Sequence, residues 1–156
     1  MSFRKHIRVF VYASDYIELV HMRKLLDEFG GYEVYGCNDA PEAMRHIVRL
    51  ATDPEDERPL VVLAECFPPG TCTGDMPVYG GAWLAEEIAK YRVTQNVRVL
   101  IFCEHPTTMF AGELTAYFRV TYGAIGYVPR LFPGKELLED LNAMIWLATE
   151  PEVTAR

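Results

Sequence analysis

Reactive side chains stand where the apolar runs of this chain end: Ala13-Ser14-Asp15, Ala64-Glu65-Cys66, Cys103-Glu104-His105 and Arg130. Carboxylates are the preferred ligands of hard cations such as Mg²⁺, whereas thiols and imidazoles are ligands of zinc. A thiol beside an imidazole can also act as a nucleophile. The chemistry therefore depends on which of these run ends the fold brings together.

The cysteines allow two interpretations. Cys66, Cys72, Cys103 and His105 form a zinc-type ligand set if the runs that precede them are neighbouring strands. Their spacing is irregular, with no Cys-x-x-Cys pair, and cysteine is more often a small packing residue. Cys103 and His105 would need a bend to meet as a catalytic pair. We therefore favour free thiols in a reducing compartment and predict no metal site.

Strands and helices alternate along the chain. Apolar runs predict strands at residues 7–13, 32–37, 59–64 and 97–103, with a fifth inside residues 123–132. Helical periodicity predicts helices at about 16–29, 40–51, 81–91, 107–121 and 134–148. This alternation predicts a parallel α/β sheet with right-handed crossovers and helices on both faces. Function in such a sheet lies at the carboxyl ends of the strands.

Two aspartates are expected to begin helices. Asp15, with Glu18 three residues later, is interpreted as an N-cap rather than a metal ligand, and Asp39 with Glu42 repeats the pattern. The helix after Asp15 is expected to bury the following residues: Ile17, Val20, Leu25 and Phe29. Gly30-Gly31 is expected to end it.

Several motifs of the chain resemble those of bacterial response-regulator receiver domains. Gly123, Ala124, Tyr127, Val128 and Phe132 match the family's fifth-strand pattern, although Arg130 replaces its lysine and Leu131 its proline. The alanine-rich second helix and the Met76-Pro77-x-x-Gly80 run also match. The resemblance covers roughly residues 6–148. It implies a three-layer, CheY-like flavodoxin fold with strand order 2-1-3-4-5.

The same resemblance implies that the receiver pocket is degenerate. The family's magnesium-binding acidic pair falls on Ala13 and Ser14, or on Ser14 and Asp15 with a slip of one residue. Its phosphoacceptor aspartate falls on Ala64, beside Glu65. The hydroxyl that bonds the phosphate falls on Cys103 and the neutralising lysine on Arg130. Mg²⁺ binding is therefore expected to be weak or absent, and no other cofactor is expected.

Glu65 is open to two interpretations. The simpler one is a solvent-facing side chain at the end of a strand. The other is a fixed ion pair with Arg130 that mimics one signalling state. A glutamate acceptor would misplace the attacking oxygen, since in-line transfer is sensitive to shifts of about 1 Å.

These residues favour a stand-alone atypical receiver, a pseudo-receiver that acts through protein contacts and not as an enzyme. One alternative is a working receiver that uses Glu65 or Asp75 as the acceptor. Another is a small flavodoxin-like ligand binder or enzyme. That reading would need a phosphate-cradling glycine loop, which Ala13-Ser14-Asp15-Tyr16 is not.

Two surfaces could carry a partner. The segment from about Glu65 to Tyr79 is longer than the corresponding receiver loop, and long loops at a functional edge often bind partners. In receivers the face made by the fourth helix, fifth strand and fifth helix reports the state of the pocket. Here that face carries residue types favoured in interfaces: Tyr117, Arg119, Tyr122 and Tyr127. A protein partner or a homodimer is expected there.

Composition limits the other functions. The net charge of −7 over 156 residues argues against binding to nucleic acid or to an anionic membrane. No stretch is long and apolar enough to cross a bilayer, and the basic N-terminus lacks the pattern of a signal peptide. A cytoplasmic protein is expected, with one domain over residues 1–150 and a frayed tail at 151–156.

Overall fold

A computed structural model describes residues 6–65, 80–103 and 126–129, together with residues 139, 142, 143, 145, 146 and 149. The predicted helix at 107–121 and the tail at 151–156 lie outside the described residues. The domain boundaries therefore stay a prediction. Within the described residues, no helix is both long and apolar enough to cross a bilayer.

The described elements follow the predicted alternation. The strands are β1 Arg8–Tyr12, β2 Glu33–Cys37, β3 Leu60–Glu65, β4 Arg98–Cys103 and β5 Gly126–Pro129. The helices are α1 Tyr16–Lys24, α2 Ala40–Ala51 and α3 Gly81–Lys90. A π-helical turn, Leu25–Gly30, extends α1, and a 3₁₀ turn, Arg92–Thr94, precedes β4. Residues 139, 142, 143, 145 and 146 are helical, inside the predicted last helix.

The five strands form one parallel sheet in the order β2-β1-β3-β4-β5. This confirms the predicted fold class and strand order. Tyr12 lies opposite both Cys37 and Ala64, and Glu65 lies opposite Phe102. The carboxyl ends of β1, β3 and β4 therefore meet at one edge of the sheet.

The sheet separates two apolar layers, because side chains alternate across a strand. Phe10, Tyr12 and Ala64 face one layer with α2 and α3, where Ile47 and Leu84 are fully buried. The second layer includes α1 and one residue of the C-terminal helical segment. Its buried residues include Val9, Val11, Ala13, Leu19, Met22, Leu63 and Ile145. Both faces of the sheet are therefore covered by a buried apolar layer.

The predicted buried stripe of α1 is partly wrong. Ile17 is 78% exposed and Val20 is 44% exposed, whereas Leu19 and Met22 are buried. Apolar residues occur on both sides of this helix, so sequence periodicity alone could not select the buried side. Leu25 is buried as predicted, and Gly31 ends the π-helical turn in the left-handed conformation that glycine adopts readily.

Candidate functional site

The candidate site lies where β1 and β3 end. β1 ends at Tyr12 and is followed by Ala13 and Ser14, and the last residue of β3 is Glu65. Parallel pairing of the two strands places these ends side by side. The structure thus brings together Ala13, Ser14 and Glu65, as their positions in the sequence predicted.

Glu65 is buried and bonded at this edge. Only 7% of its surface is exposed. Its Oε2 accepts a hydrogen bond from the main-chain N–H of Ser14 at 2.9 Å and another from the Ser14 hydroxyl at 3.2 Å. The expectation that Glu65 faces solvent is therefore wrong. A buried carboxylate needs donors to replace its lost hydration, and Ser14 supplies two of them.

The two alanines lie on opposite faces of the sheet. Ala64 is fully buried in the layer of α2 and α3, and Ala13 is fully buried in the layer of α1. Neither side chain has a polar atom. A carboxylate does follow the predicted acceptor position directly, because Glu65 is the residue after Ala64.

Asp15 caps α1, as the sequence predicted. Its Oδ1 accepts a hydrogen bond of 2.8 Å from the N–H of Ile17, and Asp15 itself is exposed. Asp39 caps α2 in the same way by accepting from the N–H of Glu42 at 3.0 Å. Each aspartate satisfies a main-chain donor that the first helical turn leaves open.

Gly81 supports the end of β3 through a contact that sequence reasoning missed. A Cβ atom on Gly81, the first residue of α3, would lie 1.7 Å from the carbonyl oxygen of Glu65. No side chain fits at that distance. The helix can therefore begin against the main chain of Glu65 only with glycine at this position. The paired glycines Gly80-Gly81 at a helix start were the available sequence signal.

Tyr12 is a second polar residue that sequence reasoning did not select. Its pKa is raised to about 12, first by burial and then by the negative charge of Glu65, with Asp39 and Cys37 contributing. Only 2% of Tyr12 is exposed. The negative charge of Glu65 therefore affects the pKa of a side chain that lies on the α2 and α3 side of the sheet.

The described residues do not fit a magnesium site of the receiver type. Mg²⁺ requires several oxygen ligands in octahedral array. Ala13 offers no side-chain ligand, Asp15 caps α1, and Oε2 of Glu65 already accepts two hydrogen bonds. In the part of the chain that the structure describes, no three His, Cys, Asp or Glu side chains are grouped to hold a metal ion.

The structure describes only some of the other predicted site residues. Cys103 is the last residue of β4, and Tyr127 lies in β5 opposite Ile101. The remaining predictions fall outside the described residues: Cys66, Cys72, Asp75, His105, Tyr117, Arg119, Tyr122 and Arg130. The ion pair between Glu65 and Arg130, the zinc-type cluster and the interface face therefore stay predictions.

Solved structures of receiver domains resemble this one over nearly the whole chain. A response regulator receiver domain protein from Clostridium thermocellum aligns with a TM-score of 0.66 at 19% identity, covering 96% of this chain and 99% of that one. The chemotaxis protein CheY4 from Vibrio cholerae aligns with a TM-score of 0.63 at 15% identity, covering 91% and 98%.

A third structure holds a metal. The receiver domain of the sensor histidine kinase PA1611 from Pseudomonas aeruginosa, with a magnesium ion in its active-site cleft, aligns with a TM-score of 0.58 at 18% identity, covering 89% of this chain and 97% of that one. No protein-family model and no curated protein sequence matches the chain. At such identities the likeness concerns the fold. The chain has the fold of CheY-like response-regulator receiver domains.

Proposed function

We propose that this protein is an atypical receiver domain of a signal-transduction system, acting through protein contacts without conventional aspartyl phosphorylation. The observation that carries the proposal is the pair of hydrogen bonds from Ser14 to Glu65. Those bonds occupy the edge of the sheet at which receivers bind metal and phosphate. The fold of solved receiver domains supports the signalling role.

The charge of the pocket supports the same proposal. Receivers hold two acidic residues after the first strand and one acceptor at the end of the third. Here the corresponding places hold Ala13, Ser14 and Ala64, and the carboxylate of Glu65 follows one residue after the acceptor place, so a single neighbouring carboxylate replaces three acidic side chains. Two hydrogen-bond donors already stabilise that carboxylate, and it gains little from a divalent cation. We therefore propose that Mg²⁺ binds weakly or not at all.

One observation favours a second candidate. The acceptor place falls on Ala64, which has no polar side-chain atom, and the next residue, Glu65, ends β3 with a carboxylate. Glu65 could then accept a phosphoryl group in a working receiver with displaced chemistry. The side chain is one methylene longer than aspartate, and the Ser14 bonds hold its Oε2, so in-line attack would be poorly aligned.

The partner in this proposal is a protein, either a larger signalling protein or a second copy of the chain in the cytoplasm. The net charge of −7 disfavours nucleic acid and anionic membranes. The face that carries Tyr117, Arg119, Tyr122 and Tyr127 remains the proposed interface. Light scattering after size exclusion on wild type and Arg119→Glu tests it, and an unchanged oligomer with full partner binding would move the interface elsewhere.

The test is a phosphorylation assay with acetyl phosphate and Mg²⁺, followed by intact mass. We expect no phosphoryl adduct on wild type, while a receiver domain with the full acidic set gains one in parallel. An adduct that is absent from Glu65→Gln would replace this proposal with the second candidate. An adduct that Glu65→Gln retains would place the acceptor elsewhere, with Asp75 the first residue to examine.

A further inference from the structure

A groove lies at the edge of the sheet opposite to Glu65. It runs between the α2–β3 connection, residues 52–59, and the turn before β4. Its cavity volume is about 470 Å³, within the range of sites that bind small ligands or peptide side chains. Its walls include both apolar and acidic residues: Ala51, Pro54, Leu60, Val93, Val97, Asp53, Asp56 and Glu57.

The floor of this groove is apolar. Leu60 and Val97 are buried beneath it, with 4% and 7% of their surfaces exposed. Val93 stands at its side and is 54% exposed, so an aliphatic side chain meets solvent there. Covering such a surface with another apolar side chain is favourable because it removes apolar area from water.

The two arginines of the groove are already engaged. Arg8 is buried and donates hydrogen bonds to the carbonyl oxygens of Leu50 at 2.8 Å and Arg58 at 2.7 Å. Arg58 pairs with Asp56 and Glu33. Asp56 stays ionised, since its hydrogen bonds with Arg58 hold its pKa at about 2. Nε of Arg8 also lies 3.7 Å from Oδ2 of Asp56, so each of the two guanidinium groups has an acidic partner.

Negative charge is left over at the rim. Asp53 and Glu57 are exposed and form no ion pair in the described part of the chain. Glu55 carries the same sign on the adjoining surface, which Asp53 and Glu57 also line. The groove therefore combines an apolar floor with a rim of carboxylates that form no ion pair among the described residues.

We propose that this groove binds a basic peptide segment of a partner protein, with an apolar side chain seated against Val93. Charge complementarity selects the occupant: the rim attracts Lys or Arg and repels acidic segments and nucleic acid. This edge of the sheet is remote from Ser14 and Glu65, so the groove is a second contact surface that does not depend on the pocket.

The test is an NMR titration of the ¹⁵N-labelled full chain with acetyl-Lys-Leu-Lys-Leu-Lys-amide. We expect saturable shifts of the amides at residues 51–60, apart from the two prolines, and at residues 93–97, weakened when the ionic strength rises from about 0.05 to about 0.3 M. Acetyl-Glu-Leu-Glu-Leu-Glu-amide should cause none. Acetyl-Lys-Ser-Lys-Ser-Lys-amide should bind more weakly, because it lacks the apolar side chains.

Two matched double variants distinguish binding in the groove from general attraction to an acidic protein. Asp53→Asn with Glu57→Gln should weaken binding about fivefold, and Asn can keep the bond that Asp53 accepts from the N–H of Glu55. Asp27→Asn with Glu28→Gln removes the same charge from an exposed site on the π-helical turn and should leave binding unchanged. Equal weakening in both variants, shifts centred on α1, or binding of the acidic peptide would overturn the proposal.

Discussion

Ser14 donates two hydrogen bonds to one oxygen of Glu65, from its main-chain N–H at 2.9 Å and from its hydroxyl at 3.2 Å. The two residues are 51 positions apart in the chain. Their contact joins the loop that starts α1 to the last residue of β3. We propose that this contact takes the place of the metal site that receiver domains hold at the same edge of the sheet.

The first prediction concerns the stability of this contact. Glu65→Ala should lower the free energy of unfolding by about 1–3 kcal/mol, because the N–H of Ser14 loses its acceptor. Ser14→Ala keeps that N–H bond and should cost only about 0.5–1.5 kcal/mol. Urea denaturation of both variants and wild type measures the difference.

The matched control for this prediction is Glu57→Ala, at an exposed glutamate without an ion pair in the described part of the chain. It should change stability by less than about 0.5 kcal/mol. If Glu65→Ala were no more destabilising than Glu57→Ala, the contact with Ser14 would not stabilise the fold.

The second prediction compares two glycines. Gly81→Ala places a methyl group against the main chain of Glu65, with the carbonyl oxygen 1.7 Å away. The start of α3 must then move, and we expect a loss of about 1–3 kcal/mol or more. For Gly36→Ala the nearest atoms belong to the Arg23 and Leu19 side chains, at 2.8 Å, and these side chains can shift. Thermal unfolding should show a clearly larger loss for Gly81→Ala, and equal losses would contradict the close approach.

The third prediction concerns Tyr12 at high pH. Its folded pKa of about 12 lies above the ordinary value of 10.0. The unfolded chain therefore loses this proton first, and stability should fall as pH rises from about 10 to about 12. Tyr12→Phe should remove this part of the alkaline loss, measured by urea unfolding between about pH 9 and about pH 11. An unchanged alkaline slope in Tyr12→Phe would assign the loss to other groups.

The fourth prediction concerns Asp56 at low pH. Its pKa is lowered from 3.8 to about 2, chiefly by hydrogen bonds from Arg58. A lowered carboxyl pKa stabilises the fold above pH 3.8, and this contribution is lost as pH falls through about 2. Asp56→Asn should therefore be less stable than wild type at neutral pH, and the difference in the free energy of unfolding should shrink as the pH falls towards about 2. Asp53→Asn, which loses no ion pair in the described structure, should show no such convergence in urea unfolding.

Much of the fold could be predicted from the sequence, because local patterns agree with it. The periodicity of α2 and its Asp39 cap predicted residues 40–51, and the structure has the helix at Ala40–Ala51. The solidly apolar runs predicted central parallel strands, and the strand order followed from the resemblance to receivers. The burial of Ile17 and Val20 was predicted wrongly, since α1 carries apolar residues on both sides.

The sequence could predict which residues lie at the candidate site but not whether they are buried or what they bond. Strand ends identified Ser14 and Glu65, but whether Glu65 is buried depends on a donor that is distant in the sequence. Nothing local distinguishes a solvent-facing glutamate at a strand end from a bonded one. The contact of Gly81 with Glu65 is also a tertiary relationship, and so is the effect of Glu65 on the Tyr12 pKa.

The most direct test of the central claim is an NMR titration of the ¹⁵N-labelled protein with Mg²⁺, followed by beryllofluoride. If the edge of the sheet at Ser14 and Glu65 is a structural contact and not a working receiver pocket, the amides of Ala13, Ser14, Ala64, Glu65 and Cys103 should keep their shifts at millimolar Mg²⁺ and after the addition of beryllofluoride. Saturable shifts at these amides, with tighter Mg²⁺ binding once beryllofluoride is present, would contradict the account.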